Sequence, residues 1–243
     1  KINSKIIYKL IDKTKFAISN EETRYFLNGL YFNITKEENK NIVTLVGTDG
    51  HRLAKFSHYI DDNIDQVSGV IIPKKTIYEL SKLLSESDQS VLISISSNKV
   101  VFIIGNIIFI SKLIDGSFPD YKRVIPKDNS NILKINRELL LSAVDRVSTI
   151  ANEKSPVIKF KLLKNVLNLN TINNESSTAS EDIKINYNGD DIEIGFNSKY
   201  IMDIVNNLDD EEITINLKDN TSPIVALENS NSNLVYVLMP MRV

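Results

Sequence analysis

Three residues in the first half of the chain have side chains of the kind used in acid–base and nucleophilic catalysis: Asp49, His51 and Ser57. A catalytic triad needs such groups to converge in space beside a site that binds an oxyanion. No other pattern in the sequence would supply an oxyanion site. We therefore expect the chain not to be an enzyme.

The chain also lacks the residue patterns of common metal and cofactor sites. It has no cysteine and two histidines, His51 and His58, which excludes disulfides, thiol catalysis and cysteine-based zinc sites. It has eight glycines, and they form no glycine-rich loop of the kind that cradles a phosphate. We expect neither a metal nor a cofactor.

Charge and hydropathy narrow the class of protein further. Lys and Arg number 29 against 31 Asp and Glu, whereas nucleic-acid-binding domains usually carry a clear basic excess. Any contact with DNA must then arise from local placement of charge or from topology. No apolar run reaches the ~18 residues that would span a bilayer, and the start at Lys1 is unlike a signal peptide, so we expect a cytoplasmic protein.

The elements that would position these residues occur twice along the chain. Residues 1–13 read KINSKIIYKLIDK, residues 134–146 read KINRELLLSAVDR, and both patterns predict an amphipathic helix. Asn3 or Ser4 is the expected N-cap of the first helix, and Asn136 is that of the second. The expected apolar faces consist of Ile6, Ile7, Leu10 and Ile11 in the first helix and of Leu139, Leu140, Ala143 and Val144 in the second.

Strand patterns follow both helices. In the first half they lie at 30–34 and 42–47, joined by the polar turn TKEENKN. In the second half the segments VIKFKLL and VLNLNTI flank the turn Lys164-Asn165. This correspondence indicates that one supersecondary unit has been repeated.

A second helix and three closing strands complete each half. The second helices are predicted at 73–84, with Pro73 in the first turn, and at 198–208, with Ser198 as the cap. The closing strands are predicted at VLISIS, KVVFII and IIFISKLI in the first half and at ITINL, PIVALE and NLVYVLM in the second.

The stretch DGSFPDYKRVIPKDNSN at 115–131 separates the two copies, and its Gly, Pro and Asp content is typical of a linker. We predict an α+β fold in which one domain is duplicated in tandem, each copy having two helices packed on antiparallel sheets. The predicted domains are residues 1–128, which include the linker 115–128, and residues 129–243.

Four stretches resemble a known family: RYFLNG at 24–29, TDGHRLA at 48–54, DGSFPDYKRVIP at 115–126 and YVLMPMRV at 236–243. Over essentially its whole length the chain resembles the bacterial DNA sliding clamps, the beta subunit of DNA polymerase III. The resemblance implies a non-catalytic processivity factor of DNA replication. In that family three such domains make one chain, and two chains form a homodimeric ring around double-stranded DNA, with helices lining the hole.

The resemblance implies that the middle and last domains are present here, so we expect a fragment that is mainly monomeric. It also implies a site between these two domains for short peptides from the polymerase III catalytic subunit, the clamp loader and other clamp-binding proteins. Carried over by position, the site has an apolar wall of Leu27, Leu53, Val124, Val237, Met239 and Met241, and a rim of Thr48, Gly50, His51, Arg52, Pro119, Arg123, Asn197, Tyr200, Pro240 and Arg242. The competing hypothesis is a protein-interaction module unrelated to replication.

The turn signal Asp49-Gly50 would point Arg52 and Leu53 outward, towards a partner. The alternative places Leu53 in the core. His51 is expected to be a neutral turn histidine.

The C-terminal residues suit an adaptable groove. Met239 and Met241 are flexible and polarisable, and Pro240 would end the last strand and leave a short tail free. The alternative is an ordinary buried strand with a frayed end. Ser155-Pro156 and Val243 depart from residues common in the family and would change one side of the cleft.

Lysines and arginines on the predicted helices are the DNA-facing candidates that the ring implies. They are Lys5, Lys9, Lys13, Lys74, Lys75, Arg137 and Lys199, with Lys15, Lys82 and Arg146 on the same helices. The alternative is an ordinary solvated helix face. Arg24, Tyr25 and Phe26 are further candidates, since a cation beside aromatic rings can stack on DNA; alternatively, Tyr25 and Phe26 begin a strand and pack in the core.

Overall fold

The computed structural model describes residues 1–37, 40–60, 66–152, 156–172 and 177–242. The chain forms two compact units, Lys1–Asp120 and Tyr121–Val243. The domain boundary predicted between residues 128 and 129 lies a few residues further along the same connecting segment. Within the described ranges, no helix is long and apolar enough to cross a membrane.

Unit 1 is an α+β unit in which two helices pack against each other. Its helices are α1 (Ser4–Asp12) and α2 (Lys74–Ser85), and its strands are β1 (Ile2–Asn3), β2 (Gly29–Glu37), β3 (Lys40–Thr48), β4 (Arg52–Ile60), β5 (Val67–Pro73), β6 (Ser90–Ile95), β7 (Lys99–Ile104) and β8 (Ile107–Lys112). These strands hydrogen-bond in the orders β5-β2-β3-β4 and β1-β6-β7-β8. Two 3₁₀ segments, Lys15–Ala17 and Glu22–Leu27, connect α1 to β2.

Unit 2 has the same plan. Its helices are α3 (Arg137–Ser148) and α4 (Ser198–Asn206), and its strands are β9 (Asn131–Asn136), β10 (Val157–Leu163), β11 (Val166–Ile172), β12 (Thr178–Lys184), β13 (Ile192–Asn197), β14 (Glu212–Leu217), β15 (Ile224–Glu228) and β16 (Leu234–Leu238). The strand orders are β12-β11-β10-β13 and β16-β15-β14-β9. Starting from β13, the first order corresponds to β5-β2-β3-β4 of unit 1. Starting from β9, the second corresponds to β1-β6-β7-β8. The predicted tandem duplication of an α+β domain is therefore confirmed.

Side-chain caps start three of the helices. The carboxamide oxygen of Asn3 accepts the N–H of Lys5 at 2.8 Å, and that of Asn136 accepts the N–H of Leu139 at 2.9 Å, as the sequence predicted. The prediction for α4 is wrong by one residue, because Asn197 caps it by accepting the N–H of Lys199 at 3.0 Å. Ser198 is the first helical residue and is buried.

Pro73 precedes α2 instead of lying in its first turn. It is the last residue of β5, and its ψ of 145° is extended, so the helix begins at Lys74. The fixed φ of proline suits this junction as well as it suits a first turn.

The buried faces of the first helix in each unit hold it against the sheets. Ile7, Leu10 and Ile11 of α1 are at most 2% exposed, so each contributes roughly 1.5–3 kcal/mol by burial. In α3 the buried face is Leu140, Ala143, Val144 and Val147. The predicted inclusion of Leu139 is wrong: its side chain is 43% exposed, because the spacing i, i+3, i+4, i+7 begins one residue later.

Candidate functional site

The turn between β3 and β4 is fixed by its own side chains. Thr48 Oγ1 accepts the N–H of Gly50 at 3.1 Å and donates to the carbonyl oxygen of Arg52 at 2.6 Å. Asp49 Oδ1 accepts the backbone N–H groups of His51 at 2.9 Å and Arg52 at 3.0 Å. Gly50 has a φ of 87°, a left-handed conformation that glycine adopts without strain. The backbone of this turn is therefore pre-organised.

Arg52 does not point outward, which corrects the expectation from the turn signal. Its guanidinium donates to Asp49 Oδ2 at 3.0 Å and to the carbonyl oxygen of Phe16 at 2.9 Å, and it lies 5.2 Å from the centre of the Phe16 ring. Leu53 is 3% exposed, so the alternative of a core leucine is correct. Arg52 thus attaches the turn to the 3₁₀ segment Lys15–Ala17.

The segment that carries Arg24, Tyr25 and Phe26 is a kinked 3₁₀ helix. The exposure of its side chains decreases towards its C-terminal end: Tyr25 is 55% exposed, Phe26 is half-buried and Leu27 is 3% exposed. The rings of Tyr25 and Phe26 meet edge to face at 5.8 Å. Because β2 starts only at Gly29, the alternative in which these aromatics begin a strand is wrong.

Glu21 holds Arg24 in a bidentate ion pair. Arg24 Nε donates to Glu21 Oε2 at 2.7 Å, and an Nη of Arg24 donates to Glu21 Oε1 at 2.6 Å. These hydrogen bonds lower the pKa of Glu21 and raise the pKa of Arg24 relative to their ordinary values. The prediction from sequence missed Glu21 and Phe16; the spacing of three residues between Glu21 and Arg24 was the available signal for the first.

In unit 2 the candidate residues lie around the start of α4 and the C-terminal tail. The Ser198 N–H donates to the carbonyl oxygen of Pro156 at 2.8 Å, and Tyr200 is half-buried on the first turn of the helix. The Met241 N–H donates to the carbonyl oxygen of Gly195 at 2.8 Å and forms an isolated bridge with it. The expected free tail is thus corrected, because the Met241 N–H is hydrogen-bonded to Gly195 within β13.

The side chains of this tail differ in exposure. Val237 is buried in β16, Met239 is 42% exposed, Pro240 and Met241 are half-buried, and Arg242 is exposed. The last strand ends at Leu238, before Pro240, as predicted. Val243 and Ser155, which were expected to change one side of the cleft, lie outside the described residues.

The connecting segment supplies three more candidates. Pro119 in unit 1 and Arg123 in unit 2 are exposed, and the side chain of Val124 is 50% exposed. Arg123 ends the 3₁₀ turn Tyr121–Arg123, whose Tyr121 is buried. An exposed valine here offers apolar area to a ligand.

The DNA-facing candidates are mostly exposed. Lys9, Lys75 and Lys199 are exposed, and Lys5 is paired with Asp88 at 2.6 Å while 73% of its side chain remains exposed. Lys74 lies over the Tyr78 ring at 5.7 Å. Lys13 is 6% exposed and therefore cannot face DNA in this conformation, which corrects that expectation.

The remaining basic residues on these helices are held in ion pairs. Arg137 donates to Glu138 at 3.3 Å, and Lys15 donates to Asp12 at 2.7 Å. Arg146 forms a two-pronged pair with Glu181 at 3.0 and 2.6 Å. Lys82 donates to Glu79 at 3.1 Å and remains exposed.

Two of the three side chains that first suggested catalysis, those of Ser57 and Asp49, serve the fold, whereas His51 is exposed. Ser57 is buried in β4, and its hydroxyl is 2.9 Å from that of Thr44 on the neighbouring strand. The Asp49 carboxylate is occupied by the β3–β4 turn. Among the residues that the structure describes, no group of three or more His, Asp or Glu side chains is placed to hold a metal ion.

Two family descriptions match consecutive parts of the chain. Residues 1–120 match "DNA polymerase III beta subunit, central domain", and residues 122–242 match "DNA polymerase III beta subunit, C-terminal domain". The beta sliding clamp of Caulobacter vibrioides (strain NA1000 / CB15N) is 40% identical over 242 residues, covering 100% of this chain and 65% of the relative. That of Escherichia coli (strain K12) is 36% identical over 234 residues, covering 96% of this chain and 63% of the relative.

Solved structures give the same likeness in three dimensions. A sliding clamp from Bartonella birtlesii bound to griselimycin has a TM-score of 0.96 at 44% identity, covering 100% of this chain and 65% of that one. The DNA polymerase III subunit beta from Pseudomonas aeruginosa has a TM-score of 0.94 at 34% identity, covering 100% of this chain and 67% of that one. The chain thus spans about 65% of the length of the curated relatives it matches.

Proposed function

Because the chain belongs to the family of DNA polymerase III beta subunits, the bacterial sliding clamps, we propose that it supplies the central and C-terminal domains of a replication processivity factor. The observation that carries this proposal is the consecutive match to both domain descriptions over residues 1–120 and 122–242. The full-length protein forms a homodimeric ring around duplex DNA in the cytoplasm. It performs no catalysis and tethers the replicative polymerase to its template.

The proposed contact with DNA uses few charges. The exposed lysines Lys5, Lys9, Lys75 and Lys199 lie on the helices of the two units, while the whole chain carries a net charge of −2. Each phosphate that a protein neutralises strengthens binding and makes it more dependent on salt. A ring holds DNA by encircling it, so a weak local field lets it move along the duplex.

We further propose that partner proteins bind through short extended peptides. The polymerase III catalytic subunit, the clamp loader and other clamp-binding proteins would each present a Gln followed by apolar residues. The candidate contact residues are those of the pre-organised Thr48–Leu53 turn in unit 1. In unit 2, taken by itself, they are Tyr200 and the tail residues Met239, Met241 and Arg242.

Methionine side chains adapt to peptides of different shape, which suits exchange among partners. Burial of ~300 Å² of apolar surface would contribute roughly 7–8 kcal/mol before the peptide is ordered. Ordering the peptide offsets part of this, so the expected Kd lies near the micromolar range.

A fluorescence-polarisation titration with a labelled Gln-Leu-x-Leu-Phe peptide tests the proposal. Met241→Ala should weaken binding about tenfold or more, because the half-buried Met241 side chain lies at the proposed site while its backbone bond to Gly195 remains. Met202→Ala on α4 is the matched control: it deletes the same atoms from another half-buried methionine and should leave the Kd unchanged.

Saturable binding that Met241→Ala weakens and Met202→Ala leaves unchanged supports the proposed site. Absence of binding by the native chain would instead favour an interaction module unrelated to replication. Griselimycin, bound by the Bartonella birtlesii relative, should compete with the peptide if both use the same residues.

A further inference from the structure

The exposed ion pair between Glu21 and Arg24 occupies the side of the guanidinium that also binds phosphates. Two parallel N–H···O bonds of 2.7 and 2.6 Å connect the two side chains. Phosphate oxygens accept the same pair of parallel bonds from arginine. These two donors, Nε and Nη2, form the fork of Arg24. In the observed conformation the fork is therefore already bound to a carboxylate.

The remaining nitrogen of the guanidinium, Nη1, also has a neighbour that defines its position. This atom lies against Gly50, so close that a Cβ at position 50 would overlap it. The side chains of Arg24 and Glu21 are 36% and 50% exposed, so solvent and ligands reach both. Tyr25, the next residue, is 55% exposed and projects from the same 3₁₀ segment.

We infer that Glu21 competes with DNA phosphates for Arg24 and thereby limits how strongly the Arg24–Phe26 segment binds DNA. This inference rests on the proposed function, to which it adds the expectation from the sequence that the Arg24–Phe26 segment also contacts the duplex. Glu21 opposes binding in two ways: it fills the fork of Arg24, and its negative charge repels an approaching phosphate. The Tyr25 ring is unaffected by this competition and remains available for stacking.

The competition gives the segment a contact that forms and breaks easily. An exposed ion pair has a small net stability, so a phosphate at high local concentration can displace the carboxylate. When the phosphate moves away, Glu21 takes its place and Arg24 is not left without a counter-charge. A protein that moves along DNA needs contacts that are released at each step, and the Glu21 carboxylate supplies that release.

Fluorescence anisotropy with a short fluorescein-labelled duplex at low salt tests the inference on the 243-residue chain. Glu21→Gln should lower the Kd by about three- to tenfold. It should also make the slope of the logarithm of the association constant against the logarithm of the salt concentration more negative by about one, because one more phosphate is neutralised. Glu22→Gln is the matched control, because it changes the net charge equally at the adjacent exposed position but is outside the fork. Thermal unfolding of each variant checks that the fold is retained.

A double-mutant cycle separates action through Arg24 from a general effect of charge. In an Arg24→Ala background, Glu21→Gln should have no more effect than Glu22→Gln, because the fork no longer exists. If Arg24→Ala weakens binding but Glu21→Gln and Glu22→Gln behave alike, the inference is overturned and the proposed DNA contact stands. If neither the native chain nor Glu21→Gln binds the duplex, both the inference and the proposed contact at this segment are overturned.

Discussion

Asp49 and Arg52 are joined twice, through the backbone and through their side chains. Asp49 Oδ1 accepts the backbone N–H of Arg52 at 3.0 Å, while Oδ2 accepts its Nε–H at 3.0 Å. Their side chains are 14% and 10% exposed, respectively, so water competes little for these bonds. One carboxylate therefore fixes the shape of the β3–β4 turn and the direction in which Arg52 extends to Phe16.

Replacement of Asp49 by alanine should destabilise unit 1 by about 2 kcal/mol, because hydrogen bonds to a charged, largely buried group each contribute more than neutral ones. Urea denaturation followed by circular dichroism measures the change. Asp88→Ala is the control: Asp88 is also ion-paired, with Lys5, but its side chain is 80% exposed, and its loss should matter by less than about 0.5 kcal/mol. Equal effects of the two substitutions would contradict the role assigned to Asp49.

Asp219 should titrate at unusually low pH. Its Oδ1 accepts the backbone N–H groups of Thr221 at 2.8 Å and Ser222 at 2.7 Å, and the hydroxyls of both residues donate to the same carboxylate. These bonds to the charged form lower the pKa of Asp219 from 3.8 to about 2. A ¹³C carboxyl titration should give that midpoint, and Thr221→Val, which removes one hydroxyl donor, should raise it.

The direction of the resulting pH dependence follows from linkage. A carboxylate whose pKa is lower in the folded state stabilises that state above its unfolded pKa. The contribution of Asp219 is thus complete above about pH 4 and is lost as the pH falls through about 2. Asp219→Asn should lack this part of the acid sensitivity, and a native midpoint near the ordinary value would refute the assignment.

A polypeptide of these 243 residues should sediment mainly as a monomer. The ring that the family implies requires three domains from each of two chains, whereas this polypeptide folds into two units. Sedimentation velocity over a range of concentrations measures the state, and the polypeptide should also dissociate from circular DNA at high salt. A stable dimer that does not depend on concentration would be inconsistent with this expectation.

Most of the helices and strands were predicted correctly from local sequence. The caps Asn3 and Asn136 and the left-handed turn residue Asn165 act through neighbours a few positions away. Such short-range signals do not depend on how the chain packs. The duplication was visible for the same reason, since both copies carry the same local signals in the same order.

Side-chain direction at the candidate site was predicted less well. Arg52 extends inward because its partner is the carbonyl of Phe16, 36 residues earlier, and no local pattern encodes that contact. The burial of Lys13 likewise results from packing around the end of α1, which charge alone does not reveal. Met241 pairs with Gly195, a strand residue far away in sequence. These contacts are long-range, and only the folded chain brings their partners together.

The shared connectivity of the two units bears on how the chain refolds. Strands β6 (SVLISI) and β14 (EITINL) occupy the same place in their respective units, so either can transiently pair with the neighbours of the other. Divergence between the copies makes such exchanged pairs less stable than native ones. This exchange takes place within one chain. Dilution therefore slows aggregation between chains but does not change incorrect strand pairing within a chain.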